Sequence, residues 1–360
     1  MENNNLIKLE ILQQENVIND KKKILGIIFV RAFCCIGIVI FHYFCHSNGT
    51  FKLLYTTANS SFGFMFVTSF FCISGVVLYY NYPKIKSLKT FYFKRWKSIF
   101  PPYYTCYVYF FFRYAFNSHK LFFRGNWTKI FITLIGLDGY LLYKFQTYYL
   151  IGEWFIGAII ILYALYPLLL GIITKNNIIT NNIIISVLYY FMYKKSYFII
   201  SKTRNIITCL TSFYFGIETI RFKKFYLMNK KIFLISFFIL IFLSIFKINS
   251  LIIIWQIQGF SLFIVLFQIG QYIMLKDINK IFKEISNISF GIYLFNHIII
   301  LEVLSLNNPN EWYLHLILLS LIITLTSICS KIHLMVVNSI INCHIFKKLE
   351  SLFLYNEETI

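Results

Sequence analysis

Apolar residues occur in long, continuous runs that recur from residue 24 to residue 334. A run of about 20 apolar residues matches the roughly 30 Å hydrocarbon thickness of a bilayer. The runs do not alternate with polar positions, which favours helices over the strands of a membrane barrel. A helix also satisfies its own backbone hydrogen-bonding groups in lipid. The pattern therefore predicts an all-α, polytopic integral membrane helical bundle with about ten transmembrane helices.

The limits of the apolar runs give approximate helix boundaries. The predicted spans are about 24–45, 60–80, 99–117, 153–174, 180–193, 205–220, 232–247, 251–275, 287–305 and 312–334. The stretch 118–150 is amphipathic and contains Gly136, Asp138 and Gly139. We interpret it as an interfacial or re-entrant loop rather than an eleventh span, with Asp138 as a turn residue in preference to a catalyst.

The distribution of Lys and Arg predicts the orientation. If the N-terminus is cytoplasmic, the cytoplasmic segments hold about twice as many Lys and Arg residues as the external ones, as the positive-inside rule requires. The basic stretch 194–204 is then an exception on the outside. We expect a cytoplasmic N-terminal segment (1–23), one membrane domain (24–334) and a cytoplasmic C-terminal tail (335–360).

The composition agrees with a membrane protein and indicates which kinds of partner to expect. The chain is 58% hydrophobic and 13% charged, whereas a soluble domain has about 25% charged residues. The net charge of +20 comes from Lys and Arg clustered at the ends of apolar runs, so we predict a lipid bilayer and no nucleic acid as partner. The eight cysteines are scattered without a CxxC pair, which indicates neither a disulfide framework nor a zinc site.

Two polar residues, Arg31 and His42, lie inside the first apolar run. Eleven helical residues cover three turns plus about 20° and rise about 16 Å, so both side chains leave the same face of the helix. Two interpretations are open at this point. Arg31 could anchor the helix at the interface while His42 is a satisfied interior histidine, or the two could form a functional pair.

Four further segments narrow this choice. They are FFCISGVVLYYN (70–81), FYFKRWKSIFPPYY (91–104), GEWFIGAIIILYALYPLL (152–169) and ISFGIYLFNHIII (288–300). Together with the Arg-(ten residues)-His helix, in this order and spacing, they resemble the acyltransferase 3 family of integral membrane acyltransferases. The resemblance spans roughly residues 24–305 and depends on the series, because no single motif is specific.

This resemblance implies a membrane O-acyltransferase. The expected reaction transfers an acyl group, most often acetyl, from cytoplasmic acyl-CoA (acetyl-CoA) to a carbohydrate hydroxyl of a cell-surface or lipid-linked glycan. The family is also a bundle of about ten spans, which agrees with the independent count above. The expected location is a cell membrane, as a multi-pass protein of the bacterial cytoplasmic membrane.

The resemblance assigns catalysis to His42 and Arg31. Esterification of a hydroxyl needs a base whose pKa lies near 7, which suits histidine, and we assign His42 as the general base, with a transient acyl-histidine as a variant. Arg31 would bind a phosphate or carbonyl oxygen of acyl-CoA, since a guanidinium stays charged and binds bidentately. It is therefore both a catalytic and a donor-binding candidate.

The basic run before the double proline supplies two further donor-binding candidates, Arg95 and Lys97. The family usually has a second arginine three residues after the first, where this chain has Ser98, so Lys97 is offered as its substitute. A plain positive-inside cluster would explain the same residues.

Glu153, Trp154 and His297 are the substrate-binding candidates. Trp154 could stack on a sugar or belong to an interfacial aromatic belt, Glu153 could orient His42 or be an ordinary carboxylate, and His297 could serve helix packing. His46 follows His42 at a metal-pair spacing but has no acidic third ligand, so no metal is predicted.

A transporter or flippase of a lipid-linked sugar is the alternative function, because it would also use intramembrane Arg and His. Transporters usually contain repeated halves and broken helices, and this chain shows no internal repeat and only five prolines. A purely structural membrane subunit would leave the shared face of Arg31 and His42 unexplained.

Overall fold

A computed structural model describes residues 25–47, 62–152, 154–195, 201–246, 251–274 and 279–354. Within these ranges the regular elements are helices and no strand occurs. The helices are α1 Leu25–His46, α2 Phe62–Asn81, α3 Leu88–Ser118, α4 Ile130–Leu134, α5 Asp138–Leu141, α6 Trp154–Lys175, α7 Ile178–Lys195, α8 Ile206–Arg221, α9 Lys223–Tyr226, α10 Lys230–Ile245, α11 Ile252–Ile273, α12 Asn279–Leu306, α13 Trp312–Asn342 and α14 His344–Phe353, with short 3₁₀ turns at Trp127–Lys129 and Lys202–Arg204.

Six of the described helices are long and apolar enough to cross a membrane, namely α1, α2, α6, α11, α12 and α13. The predicted class, an all-α multi-pass membrane protein, is confirmed. The helices α7, α8 and α10 coincide with predicted spans but are only 16 to 18 residues long. The predicted segment 1–23 lies outside the described residues.

Helix α3 begins eleven residues before its predicted start near residue 99. The basic segment before residue 99, predicted as a connection, is helical because Ser87 caps it, accepting a hydrogen bond of 3.3 Å from the Thr90 N–H. Pro101 and Pro102 lie inside the helix rather than at its start. Proline removes a backbone donor, and the Thr105 hydroxyl lies 2.9–3.0 Å from the carbonyl oxygens of both prolines.

The stretch that follows α3, up to residue 150, contains only short helices, none of which could cross a membrane, in agreement with the prediction that it is not a further span. The helices α4 and α5 are five and four residues long. Asp138 is the first residue of α5 and is completely buried. The region therefore forms a folded cap at one end of the bundle instead of a further span.

Helix α1 lies at the centre of the bundle, where it packs against α2, α11 and α12. Small residues permit close approach. A Cβ atom added to Gly26 would lie 2.4 Å from the carbonyl oxygen of Phe267 in α11. The glycine of the SG pair in α2 has the same role, because a Cβ on Gly75 would lie 2.0 Å from the carbonyl oxygen of Phe213 in α8. Small residues commonly mediate such contacts between membrane helices.

The C-terminal region is more structured than the predicted tail suggests. Helix α13 continues to Asn342, and α14 follows it and packs on the first turns of α3. The Phe93 and Phe353 rings stack with centroids 4.9 Å apart. Lys97 Nζ lies 2.6 Å from Glu350 Oε1. The start of α3 is therefore covered by α14.

Candidate active site

Three histidines lie together at one end of α1. The rings of His42 and His297 stack with centroids 5.5 Å apart, and those of His46 and His297 with centroids 5.1 Å apart. Helix α12 supplies His297, so the packing of α12 on α1 forms the group. We call His42, His46 and His297 the histidine cluster. His297 Nδ1 is buried without a hydrogen-bond partner in the described part of the chain, so it is available to a polar ligand.

Trp154, at the start of α6, is connected to this cluster through Arg204. Its backbone packs closely on α5, since a Cβ on Gly139 would lie 2.3 Å from the Trp154 Cα. The Arg204 guanidinium carbon lies 5.4 Å from the centroid of the Trp154 ring, and Arg204 is also within electrostatic range of His42. The structure thus brings two predicted residues, His42 and Trp154, to the same end of the bundle as His297. Glu153 lies outside the described residues.

Two guanidinium groups approach one tyrosine at the other end of α1. Arg31 is half-buried and within electrostatic range of Tyr163 in α6. The guanidinium carbon of Arg95 lies 5.8 Å from the centroid of the Tyr163 ring and 5.1 Å from that of Tyr82. An Arg95 N–H also donates a hydrogen bond of 3.3 Å to the Tyr82 hydroxyl. We call Arg31, Arg95 and Tyr163 the arginine pair with its tyrosine.

These two arginines lack a carboxylate partner within the described ranges, where the ion pairs are Lys97–Glu350, Arg113–Glu302 and Arg221–Glu218. An arginine inside a membrane helix is costly, and an unpaired one is suited to an external anion. Lys97 differs, because it is paired with Glu350 and its Nζ lies 5.7 Å from the centroid of the Phe346 ring. The structure places Lys97 at the contact between α3 and α14.

An aromatic layer lies along α1 between the two ends. Phe70 packs against the buried cluster that contains Cys35 and Val39 of α1. Its ring centroid is 6.1 Å from that of Phe155, which is 5.4 Å from that of Tyr293. Tyr293 is one turn before His297 on α12. Phe70, Phe155 and Tyr293 thus form a connected row of rings that contacts α1 at the level of Cys35 and Val39, between Arg31 and His42 in the sequence.

A cavity of about 700 Å³ lies on a different face of α1 and is almost entirely apolar. Its lining includes Phe33, Ile36 and Ile40, together with residues of α2, α10, α11 and α12. Neither Arg31 nor His42 contributes to it. This groove therefore differs from the face that holds the polar groups.

Asp138 lies within the same cap that positions Trp154. Burial raises the pKa of its carboxyl group from 3.8 to about 6, although the Thr133 hydroxyl and the backbone N–H of Tyr148 act in the opposite direction. Asp138 begins the helix whose Gly139 supports Trp154 and whose Tyr140 hydroxyl donates a hydrogen bond of 2.7 Å to the Arg204 carbonyl oxygen. Asp138 is therefore a buried part of this support, at the first residue of a short helix, where the sequence predicts a turn residue.

Three residues of the observed groups, Tyr163, Arg204 and His46, are not among the site residues predicted from the sequence. Tyr163 had a signal, since it precedes Pro167 by four residues in the α6 motif. His46 had its spacing to His42. For Arg204 the only signal in the sequence is the unexpected positive charge of its loop. Within the described ranges no group of three His, Cys, Asp or Glu residues is arranged to hold a metal ion.

The comparisons with known proteins bear on this arrangement. The model of the acyltransferase 3 family, described as an acyltransferase domain, matches residues 24–332. No curated protein and no solved structure matches the chain significantly. The matched segment covers most of the chain and contains both the histidine cluster and the arginine pair with its tyrosine. The chain therefore belongs to the acyltransferase 3 family of membrane acyltransferases.

Proposed function

We propose that the protein is an O-acetyltransferase that moves an acetyl group from cytoplasmic acetyl-CoA to a hydroxyl of a cell-surface or lipid-linked glycan. The observation that carries the proposal is the separation of two polar groups along α1. One end has guanidinium groups that form no ion pair with a carboxylate of the described residues and that suit the phosphates of CoA. The other has stacked imidazoles beside a tryptophan, which suit a sugar hydroxyl.

The proposed topology has ten membrane crossings with both termini in the cytoplasm. It rests on the ten apolar runs, each of which overlaps an observed helix although only six of these helices are long and apolar enough to cross a membrane. The excess of Lys and Arg in the segments assigned to the inside supports the orientation. Arg31 then faces the cytoplasm, where acyl-CoA is made, and His42 faces outward. The bacterial cytoplasmic membrane is the proposed location.

The donor binds at the arginine pair with its tyrosine in this scheme. Arg31 and Arg95 hold phosphate oxygens of CoA in charge-assisted hydrogen bonds, and Lys97 remains a further contact if Glu350 releases it. The Arg31 Cα is about 16 Å from that of His42 along the helix. The arm of CoA that carries the thioester therefore extends past the aromatic layer of Phe70, Phe155 and Tyr293 toward His42.

Transfer then needs one proton acceptor and one nucleophile. The glycan hydroxyl oxygen attacks the thioester carbonyl carbon while His42 accepts the hydroxyl proton. A carbon–oxygen bond forms, the carbon–sulfur bond breaks, and the departing CoA thiolate takes the proton from His42, so that an ester and a free thiol result. In the covalent variant His42 itself carries the acetyl group between donor and acceptor.

The acceptor is proposed to lie against Trp154 and His297. The Trp154 ring offers a flat apolar surface to a sugar, and the buried Nδ1 of His297 offers a polar contact to a hydroxyl. Glu153 would bind a second hydroxyl or orient His42. No metal participates in this scheme.

The experiment that tests the function uses the full-length protein in vesicles with radiolabelled acetyl-CoA and membranes that carry envelope glycan. An acetyltransferase forms an alkali-labile ester on the glycan and releases CoA thiol. The alternative, a transporter of a lipid-linked sugar, would move labelled sugar across the vesicle membrane without forming an ester. Transport without ester formation would contradict the proposal.

A further inference from the structure

Arg204 is a cation at the histidine end of the bundle that the mechanism above does not use. Its guanidinium carbon is 5.4 Å from the centroid of the Trp154 ring, and it is within electrostatic range of His42. The side chain is exposed, and the ion pairs formed by the described residues do not include it. A positive charge therefore lies on the ring surface proposed for the sugar and within electrostatic range of the proposed base.

The backbone of Arg204 is held firmly in this position. The Tyr140 hydroxyl of α5 donates a hydrogen bond of 2.7 Å to the Arg204 carbonyl oxygen. The Arg204 backbone N–H donates a hydrogen bond of 2.9 Å to the Ser201 carbonyl oxygen, and the Thr208 hydroxyl donates one of 2.8 Å to the Lys202 carbonyl oxygen. The same helix α5 also supports the backbone of Trp154 through Gly139. Trp154 and Arg204 are thus fixed relative to each other by one support.

A binding role for Arg204 also explains why a positive charge occurs on the external side in the proposed topology. The stretch 194–204 is basic but lies on the external side in the proposed orientation, against the positive-inside rule. An arginine needed for binding at the external end would be retained despite that rule. A guanidinium on an aromatic ring keeps its in-plane N–H groups free for a carboxylate or phosphate.

We infer that Arg204 and Trp154 form an acceptor subsite for a sugar that carries an anionic group, a carboxylate or a phosphate. The sugar ring lies on Trp154, the anion accepts hydrogen bonds from Arg204, and the hydroxyl to be acetylated is directed toward His42. This inference rests on the proposed acetyltransferase function and specifies the acceptor as an acidic glycan or a sugar phosphate.

The test measures binding without the acyl donor, using the full-length protein in nanodiscs and saturation-transfer NMR. The probes are two matched pairs: trigalacturonate with its methyl ester, and glucose 1-phosphate with methyl glucoside. We expect at least one anionic probe to bind about 10- to 100-fold more tightly than its neutral counterpart, the usual size of a hydrogen bond to a charged group. The pair that shows the difference identifies carboxylate or phosphate as the source of the charge.

Arg204→Gln should abolish this preference and leave binding of the neutral probes unchanged. Lys202→Gln, in the same loop, is the matched control and should keep the preference, and Arg204→Lys should keep part of it. An unchanged thermal unfolding temperature shows that the Arg204→Gln protein is folded. Equal binding of charged and neutral probes by the wild type, or a preference that survives in Arg204→Gln, would overturn the inference.

Acetyl transfer measured on the same preparations separates this inference from the proposed function. If anion binding depends on Arg204 but no acetyl transfer occurs, the anion subsite is supported and the proposed acetyltransferase function is contradicted. Transfer in which Arg204→Gln lowers turnover equally for charged and neutral acceptors would instead assign Arg204 to the developing oxyanion and would contradict an anion subsite.

Discussion

Arg31 is the residue whose exact chemistry matters most at the donor end, because it lies near Tyr163 without a carboxylate partner in the described ranges. Lysine keeps the charge but loses the planar fork that binds a phosphate through two parallel hydrogen bonds. We expect Arg31→Lys to raise the KM for acetyl-CoA about tenfold, the effect of one lost hydrogen bond to a charged group.

The matched control for this substitution is Arg113→Lys, since Arg113 is paired with Glu302 at the opposite end of the bundle. Steady-state kinetics with varied acetyl-CoA should show no change in its KM. An unaltered KM in Arg31→Lys would argue against donor contact by Arg31.

Asp138 gives a prediction about pH. Burial raises the pKa of its carboxyl group to about 6 from 3.8, so the folded state binds the proton more tightly than the unfolded state does. The free energy of unfolding therefore falls as pH rises from about 4 to about 6, and the penalty is complete above pH 6. Asp138→Asn should remove the cost of ionising this buried carboxyl group. The protein should therefore become more stable at pH 7.5 by at most about 3 kcal/mol, the free energy that corresponds to a pKa shift of about two units.

Thermal unfolding of purified protein at pH 4.5 and pH 7.5 checks this expectation. The gain for Asp138→Asn should be larger at pH 7.5. Glu311→Gln, which changes an exposed carboxylate, is the control and should show little difference. The same gain at both pH values would contradict a raised pKa as the cause.

The shared face of Arg31 and His42 could be predicted from the sequence because it depends only on helix geometry. The proximity of His297 to His42 could not, since it depends on which helix packs against α1 and at what height. The motif order suggested His297 as a site residue, and the packing of α12 gives the ring separation of 5.5 Å. For the same reason Arg204 went unnoticed, because a basic loop has no periodicity that points to a partner.

Among the helices, the contact of α2 with α8 gives the sharpest prediction. A Cβ on Gly75 would lie 2.0 Å from the carbonyl oxygen of Phe213, a backbone atom, so the two helices would have to separate. We expect Gly75→Ala to destabilise the protein by about 1–3 kcal/mol, as overpacking does. Size-exclusion chromatography and thermal unfolding in detergent measure the effect.

Gly171 in α6 is the matched control, because a Cβ there would meet no atom within 4 Å. Gly171→Ala should be neutral or stabilise the protein by up to about 1 kcal/mol, since alanine favours the helix. If Gly75→Ala and Gly171→Ala change the stability equally, the close packing at Gly75 is not the cause of the change.

Hydrophobic runs located the helices well because the bilayer sets their length, and α1, α2 and α6 begin within two residues of their predicted positions. The start of α3 was wrong by eleven residues for a physical reason. A basic, amphipathic segment carries no long apolar run, and it is helical through its Ser87 cap and the packing of α14. Helix α14 (HIFKKLESLF) is amphipathic, so long apolar runs do not predict it either.

At the scale of the whole molecule, the proposed orientation places Cys343 and α14 in the cytoplasm and the 118–150 cap outside. Cys343 is exposed, whereas most other cysteines are buried. A membrane-impermeant maleimide should label Cys343 only after the cells are permeabilised. A single cysteine at the exposed Lys120, introduced into a Cys343→Ser protein, should be labelled in intact cells. The reverse pattern would invert the topology and with it the direction of acetyl transfer.

Acetyl transfer by His42→Ala, compared with wild type at equal membrane levels, tests the proposed mechanism most directly. His344→Ala, which changes an exposed histidine on α14, is the matched control. If His42 accepts the proton of the acceptor hydroxyl, or carries the acetyl group, His42→Ala should form no detectable ester while His344→Ala retains wild-type transfer. Wild-type ester formation by a folded His42→Ala protein would contradict that role.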